Sequence, residues 1–165
     1  WRRGALPHGP IIVLENLATW DTYTRWDAHS PQFSAIVYGK GLVFADAVTR
    51  LPDLFAELDG SPRPVHYFGD LDPAGLDIPR RASLRSVASG LPPIQPHPWS
   101  YQQLLALACT HSTPHDSLPV SEESLQWLGD LALSARPLLA RGHRLAQEHL
   151  GWDFLSRLTS PGPTP

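Results

Sequence analysis

The sequence predicts an α/β domain in which a short parallel sheet is flanked by helices and followed by a helical C-terminal extension. Three observations carry this expectation. Ile11–Leu14 ("IIVL"), 33–38 ("FSAIVY") and Val65–Phe68 ("VHYF") are short, largely apolar runs, as expected of strands covered on both faces. The stretches between them have the spacing or length of helices. Glycine or acidic residues follow each run, where strand gives way to loop. Strand and helix alternating in this way is the pattern of βαβ units and a parallel sheet.

Residues 1–9 read as a polar lead-in to the first strand. After it, "ENLATWDTYTRWD" has Leu17, Trp20, Tyr23 or Thr24 and Trp26 at roughly helical spacing. The second strand ends at Gly39 and Gly41. "LVFADAVTRLPDLFAELD" then reads as a helix broken or kinked before Pro52, because proline disfavours the helical conformation of its predecessor. "PAGLDIPRRASLRSVASG" is helical again, with Pro79 too deep for a first-turn proline, so that it should kink or delay the helix. Residues 92–95 supply a fourth, short strand.

Beyond residue 98 the pattern becomes helical. Ser100 caps a helix over "YQQLLALAC", "THSTPHDSLP" is a loop, and Ser121 opens "SEESLQWLGDLALSA". Pro137 interrupts, and "LLARGHRLAQEHL" and "WDFLSRL" continue as helices. The expected organisation is an α/β core over 1–98, a helical extension over 99–158 packed on the same domain, and a disordered tail over 159–165.

Composition narrows the function. The chain has 165 residues, 42% of them hydrophobic and 18% charged, an ordinary globular composition sufficient for one buried core. No apolar run reaches membrane-spanning length, and "WRRGALPHGP" lacks the apolar centre of a signal peptide. The chain contains no methionine, so it reads as a domain of a longer protein with an N-terminal part before it. Cys109 is the sole cysteine, which excludes an internal disulfide and fits a reducing cytoplasm. The net charge of −3 argues against strong DNA binding by the domain alone.

The chemistry-bearing residues lie after the strands. Open parallel sheets bind ligands at the carboxyl ends of their strands. Glu15 follows the first strand, Gly39-Lys40-Gly41 the second and Gly69-Asp70-Leu71-Asp72 the third. Carboxylates so gathered repel unless a cation offsets the charge, and Mg²⁺ is typically held by one or two carboxylates plus water and phosphate oxygens. The D-x-D spacing on extended backbone sends Asp70 and Asp72 to one side. Glu15 can join them as a ligand or manage a proton. Simpler roles compete. Asp72 before Pro73 is also a helix N-cap with proline at the first helical position, Glu15-Asn16 is also a helix start, and "GKG" is also a tight turn. The order of all three across successive strand ends favours the metal.

"IIVLEN", "YGKG…TR" and "FGDLDPAGLDI" together resemble the toprim domain, a Rossmann-like, metal-dependent fold of topoisomerases, primases and related nucleases. "GKG…TR" and "DLDPAGLDI" are similar to the A subunit of topoisomerase VI. "ENLATW", "YFGDLDPAGLDI" and the late "LAQEHL" look more like the C-terminal domain of JetD, the nuclease subunit of Wadjet plasmid-defence systems. The likeness covers about residues 10–95 and, more weakly, 96–158. It implies Mg²⁺ (or Mn²⁺) on Asp70 and Asp72, Glu15 as acid/base residue or ligand, and Lys40 near a phosphate. Glu148 matches a family position, as a possible accessory residue or as an ordinary helix glutamate. Arg80 and Arg81 could reach DNA phosphates or form a solvated helix face. The resemblance further implies DNA and an SMC-like ATPase complex as partners. The activity expected from it is metal-dependent DNA hydrolysis. The alternatives are a topoisomerase VI-like module using a tyrosine from another domain, and a non-catalytic docking module. Pro79 departs from the family pattern.

The remaining candidates have plain explanations. Tyr23, Tyr38, Tyr67 and Tyr101 suit core or helix-surface positions, and none is assigned as a nucleophile. Cys109, His111 and His115, with Asp116 beside them, form C-x-H-x₃-H around Pro114, which matches no standard zinc spacing. His66 reads as a satisfied, partly buried residue. Trp20 and Trp26 read as core, and Trp152 and Phe154 as the docking face of the last helix.

Overall fold

In the computed structural model, which describes residues 1–115 and 118–159, the chain runs β1 (Arg2–Arg3), β2 (Ile11–Leu14), α1 (Leu17–His29), β3 (Ala35–Tyr38), α2 (Leu42–Ala47), α3 (Leu51–Leu58), β4 (Val65–Phe68) and α4 (Pro73–Ala88). It continues through β5 (Ile94–Pro96), α5 (Pro98–Ala106), α6 (Ala108–His111), β6 (Thr113–Pro114), α7 (Glu122–Trp127), α8 (Ala132–Ala140), β7 (His143–Arg144) and α9 (Trp152–Thr159). The main sheet has the order β1-β3-β2-β4-β5. Its pairings are parallel except at the β1 edge, where Arg2 and Arg3 run antiparallel to Ile36 and Ala35. The fold is α/β, as the alternation predicts.

The strands alternate their side chains between two cores. Ile12, Leu14 and Phe68 face one side with Tyr23, Phe33, Tyr101, Leu125, Leu138, Leu145 and Leu155. Ile11, Val13, Val65 and Tyr67 face the other with Phe44, Val48, Phe55, Ile78, Ala82 and Ile94. Each such fully buried aliphatic or phenyl side chain contributes about 1.5–3 kcal/mol relative to an exposed one. The first core joins residues from before and after residue 98, so the helical segments pack directly on the sheet.

Several elements differ from expectation, each for a local reason. The break before Pro52 occurs, as a 3₁₀ turn over Val48–Arg50 between α2 and α3. Pro79 does not delay α4: the helix begins at Pro73, with Asp72 as its cap, and runs through Pro79, which lies buried within it. Pro137 likewise sits inside α8. Ser100 is not a cap. Pro98 starts α5 and His97 is its N-cap residue, while the Ser100 hydroxyl bonds His97 Nδ1 and Tyr23 Oη, both at 2.6 Å. Ser121 does cap α7, accepting the Ser124 N–H, but Gly129, at φ +60°, follows α7 and separates it from α8.

The largest difference is at 141–150, expected as helix. Gly142 turns the chain at φ +69°. β7 then pairs antiparallel with β6, Leu145 bridges Leu71, and Gln147–Leu150 form one 3₁₀ turn. Thr159 ends α9 rather than beginning a tail. Residues 160–165 and Asp116 lie outside the described residues. Among the described residues no helix is long and apolar enough to cross a membrane.

Candidate functional site

Register brings the strand ends together. Leu14 pairs with Tyr38 on one side and Phe68 on the other, so Glu15, Gly39 and Gly69 leave the sheet in one row. The Gly39 N–H donates to Leu14 O at 2.7 Å and the Glu15 N–H to Phe68 O at 3.2 Å.

Glu15 Oε2 accepts the Asp70 backbone N–H at 3.3 Å. The Glu15 carboxyl is pushed up to about 7, chiefly by burial, then by the charges of Asp70 and Asp72, with the Asp70 N–H opposing. Gly69 makes this seat possible, because a Cβ there would lie 2.2 Å from Glu15 Oε2 and 2.8 Å from Tyr67 Cε1. The Tyr67 hydroxyl is buried close to Glu15 without meeting hydrogen-bond geometry, and burial, then the Glu15 charge, holds it protonated. The Tyr101 hydroxyl closes the strand end by accepting the Gly69 N–H at 3.1 Å.

Asp70 Oδ1 accepts the Gln147 N–H at 2.9 Å. Burial raises the Asp70 carboxyl, the Gln147 N–H lowers it, the charges of Glu148 and Asp72 raise it, and Arg144 lowers it. Leu71 is held by Leu145 through two backbone bonds of 2.9 and 3.2 Å. Asp72 is the N-cap of α4, and its Oδ1 accepts the Gly75 N–H at 2.7 Å. Gly75 must lack a side chain here, since a Cβ would fall 2.2 Å from Asp70 O. The capping role of Asp72 thus exists; among the described residues Oδ2 accepts no hydrogen bond, and it faces His115 Nε2 at 3.8 Å.

Glu148 is exposed on the 3₁₀ turn, where its Oε1 accepts the side-chain amide of Asn16. Asn16 also caps α1, its Oδ1 accepting the Thr19 N–H at 2.9 Å. Lys40 is exposed at φ +54° beyond β3. Arg80 pairs with Asp77 at 2.7 Å, and Arg81 lies 3.9 Å from the same carboxylate, on the flank of α4. The structure therefore joins Glu15, Asp70, Asp72 and Glu148, and engages both arginines with Asp77. Asn16, Gly69, Tyr67 and His115 are additions. The helix-start pattern at Glu15-Asn16 signals Asn16; sequence spacing groups His115 with Cys109 and His111 and gives no sign of its contact with Asp72.

A family model described as "Wadjet protein JetD, C-terminal" matches residues 1–159. The chain belongs to that family. No curated protein and no solved structure matches it. The JetD C-terminal resemblance read from "ENLATW", "YFGDLDPAGLDI" and "LAQEHL" is therefore correct.

The other expectations end less chemically. Cys109 is exposed, the His111 ring packs on His149 at 4.7 Å, and His115 turns to Asp72. His66 is half-buried, as expected, and only half satisfied: its ring bonds the Pro96 backbone, while Nδ1 lacks a partner among the described residues. Trp26 is core and stacks on Trp99 at 5.4 Å, and Trp152 carries Arg25 over its ring at 4.1 Å. Tyr23, Tyr67 and Tyr101 are fully buried, and Tyr38 is 37% exposed. Among the described residues no group of three or more His, Cys, Asp and Glu is arranged to hold a metal ion. A cation held by fewer side chains would take water or phosphate oxygens for the rest of its shell, as Mg²⁺ commonly does. Asp70 and Asp72 would offer such an ion carboxylate oxygens of the type it takes, each carboxylate also accepting one backbone N–H.

Proposed function

We propose that this domain is a toprim-type, divalent-metal-dependent DNA endonuclease domain acting in Wadjet plasmid defence. The observation that carries the reading is the convergence of Glu15, Asp70 and Asp72 at the ends of adjacent parallel strands, with Glu15 seated against the Asp70 N–H at 3.3 Å. Asp70 and Asp72 would hold Mg²⁺ or Mn²⁺, and such an ion supplies charge neutralisation at a phosphodiester and a more acidic water.

The chain's own residues do the rest. Glu15, raised to about 7, is suited to accept a proton from the attacking water near neutral pH. The Gln147 N–H orients Asp70 and the α4 cap orients Asp72. Lys40 stands exposed on the same sheet edge to meet a phosphate. In this reading DNA is presented by an SMC-like ATPase complex and by the N-terminal part of the same protein, which suits a domain with a net charge of −3.

The test is cleavage of closed-circular plasmid by the full-length protein with its partners. Glu15→Gln and Asp70→Asn should each lower cleavage by at least about 100-fold, and the products should carry free ends. A product joined covalently to a tyrosine would overturn hydrolysis in favour of strand transfer. Full cleavage by both variants would overturn the site.

A further inference from the structure

Tyr67 is fully buried, and its hydroxyl has no hydrogen-bond partner among the described residues. Such a group costs about 1–3 kcal/mol of stability, and buried polar atoms left unpaired are rare outside strained or functional positions. Strand register fixes what the hydroxyl faces. Tyr67 pairs with Val13 on β2, and side chains alternate along a strand. Val13 and Tyr67 both face the second core. Glu15 still follows the ladder, its N–H donating to Phe68 O at 3.2 Å, so it leaves the sheet on that same face, diagonal to Tyr67. Diagonal neighbours on one face are within reach of aromatic and long side chains. Gly69 is next on this face and puts no side chain between them: a Cβ there would lie 2.8 Å from Tyr67 Cε1 and 2.2 Å from Glu15 Oε2. The Tyr67 ring is held by Phe44 at 5.9 Å and by Trp127, edge-on, at 6.4 Å. Burial, then the Glu15 charge, keeps the phenol protonated, so it has a proton to donate. Tyr101, the other phenol at this strand end, is already committed to the Gly69 N–H at 3.1 Å.

We propose that Tyr67 is the positioning residue of Glu15, its hydroxyl donating to the Glu15 carboxylate in the working site. The carboxylate is then held by two donors, the Tyr67 O–H from the sheet and the Asp70 N–H from the loop. One donor leaves a carboxylate free to swing, whereas two fix its plane and keep the remaining lone pairs in one direction. A reacting group aimed in this way retains the orientation on which the rate depends. The inference rests on the reading of Glu15 as the proton-accepting group of a nuclease, and names the residue that aims it.

The experiment is Tyr67→Phe in the full-length protein, which keeps the ring and removes the donor. With the partners present, kcat for plasmid cleavage should fall about 10- to 100-fold while KM changes little. In the full-length protein alone, the ultraviolet resonance Raman difference spectrum, wild type minus Tyr67→Phe, should show the tyrosine doublet of a phenol donating a hydrogen bond. A packing role alone would give neither result. Wild-type kcat in a folded Tyr67→Phe protein, or a rise in KM alone, overturns the positioning role. The doublet of an unbonded phenol overturns the hydrogen bond. If Tyr67→Phe does not fold, Glu15→Ala takes its place by removing the acceptor: its tyrosine doublet should shift from that of wild type toward an unbonded phenol, and an unchanged doublet overturns the bond. Absence of cleavage by wild-type protein overturns the nuclease reading, and the spectrum then still decides whether Tyr67 holds Glu15.

Discussion

Gln147 donates its backbone N–H to the Asp70 carboxylate at 2.9 Å, across 77 positions of sequence. The C-terminal segment is thus part of the acidic edge. With the Leu71–Leu145 bridge and the Asn16–Glu148 bond, it ties the loop after β4 and the start of α1 to one 3₁₀ turn.

Leu145 is fully buried in the first core. Leu145→Ala is expected to cost about 2–5 kcal/mol of stability. It should also speed hydrogen exchange at the Leu71 amide, which bonds Leu145 O at 2.9 Å. Denaturant unfolding and amide exchange measure the two effects. Unchanged protection at Leu71 in the destabilised variant would separate the C-terminal segment from the site.

Gly69→Ala tests the seat of Glu15. The added Cβ would meet Glu15 Oε2 at 2.2 Å, so the carboxylate must move. Displacing a reacting group by an ångström costs about 100-fold in rate. Plasmid cleavage should fall by that order while the domain remains folded by circular dichroism. Retained activity would mean that Glu15 is not positioned by this contact.

Glu15→Gln should stabilise the metal-free domain at high pH. The folded carboxyl stands at about 7 and the ordinary value is 4.5. A raised carboxyl favours the folded state fully below pH 4.5, and that advantage is lost as pH rises through 7. At pH 8 the glutamine variant should therefore exceed wild type by on the order of 2 kcal/mol, with little difference at pH 4.5. Tm across pH 4–8 without divalent ions measures it. A variant less stable than wild type at pH 8 would show that the ionised Glu15 is not strained.

His97 gives the opposite slope. Burial, then the nearby His66, pushes its imidazole down from 6.5 to about 3. A histidine lowered in the folded state stabilises fully above pH 6.5 and loses that contribution as pH falls toward 3. The slope is about 1.4 kcal/mol per pH unit in that window. Replacing it in His97→Gln should flatten the acid side of the stability curve measured by urea unfolding. An unchanged slope would assign acid sensitivity to other groups.

Much of the site is legible in the sequence because it depends on strand ends. Apolar runs mark β2, β3 and β4, and the residues after them fall in one row by register alone. What sequence reading misses depends on contacts distant in the chain. Residues 141–150 follow the leucines of α8 and read as its continuation, yet Gly142, β6 and Leu71 draw residues 143–145 into extended backbone. Pro79 looks like a helix breaker, but Asp72 and Pro73 start α4 nearly two turns earlier, and Ile78 and Ala82 hold it against the second core. The contact between His115 and Asp72 follows from that same C-terminal ribbon, and no spacing motif encodes it.

The central claim is a divalent ion at the ends of β2 and β4. Crystals of the protein soaked in millimolar Mn²⁺ and measured by anomalous scattering test it most directly. The account predicts an anomalous peak within about 2.5 Å of carboxylate oxygens of Asp70 and Asp72, beside Glu15. A map with no peak between these residues would contradict it.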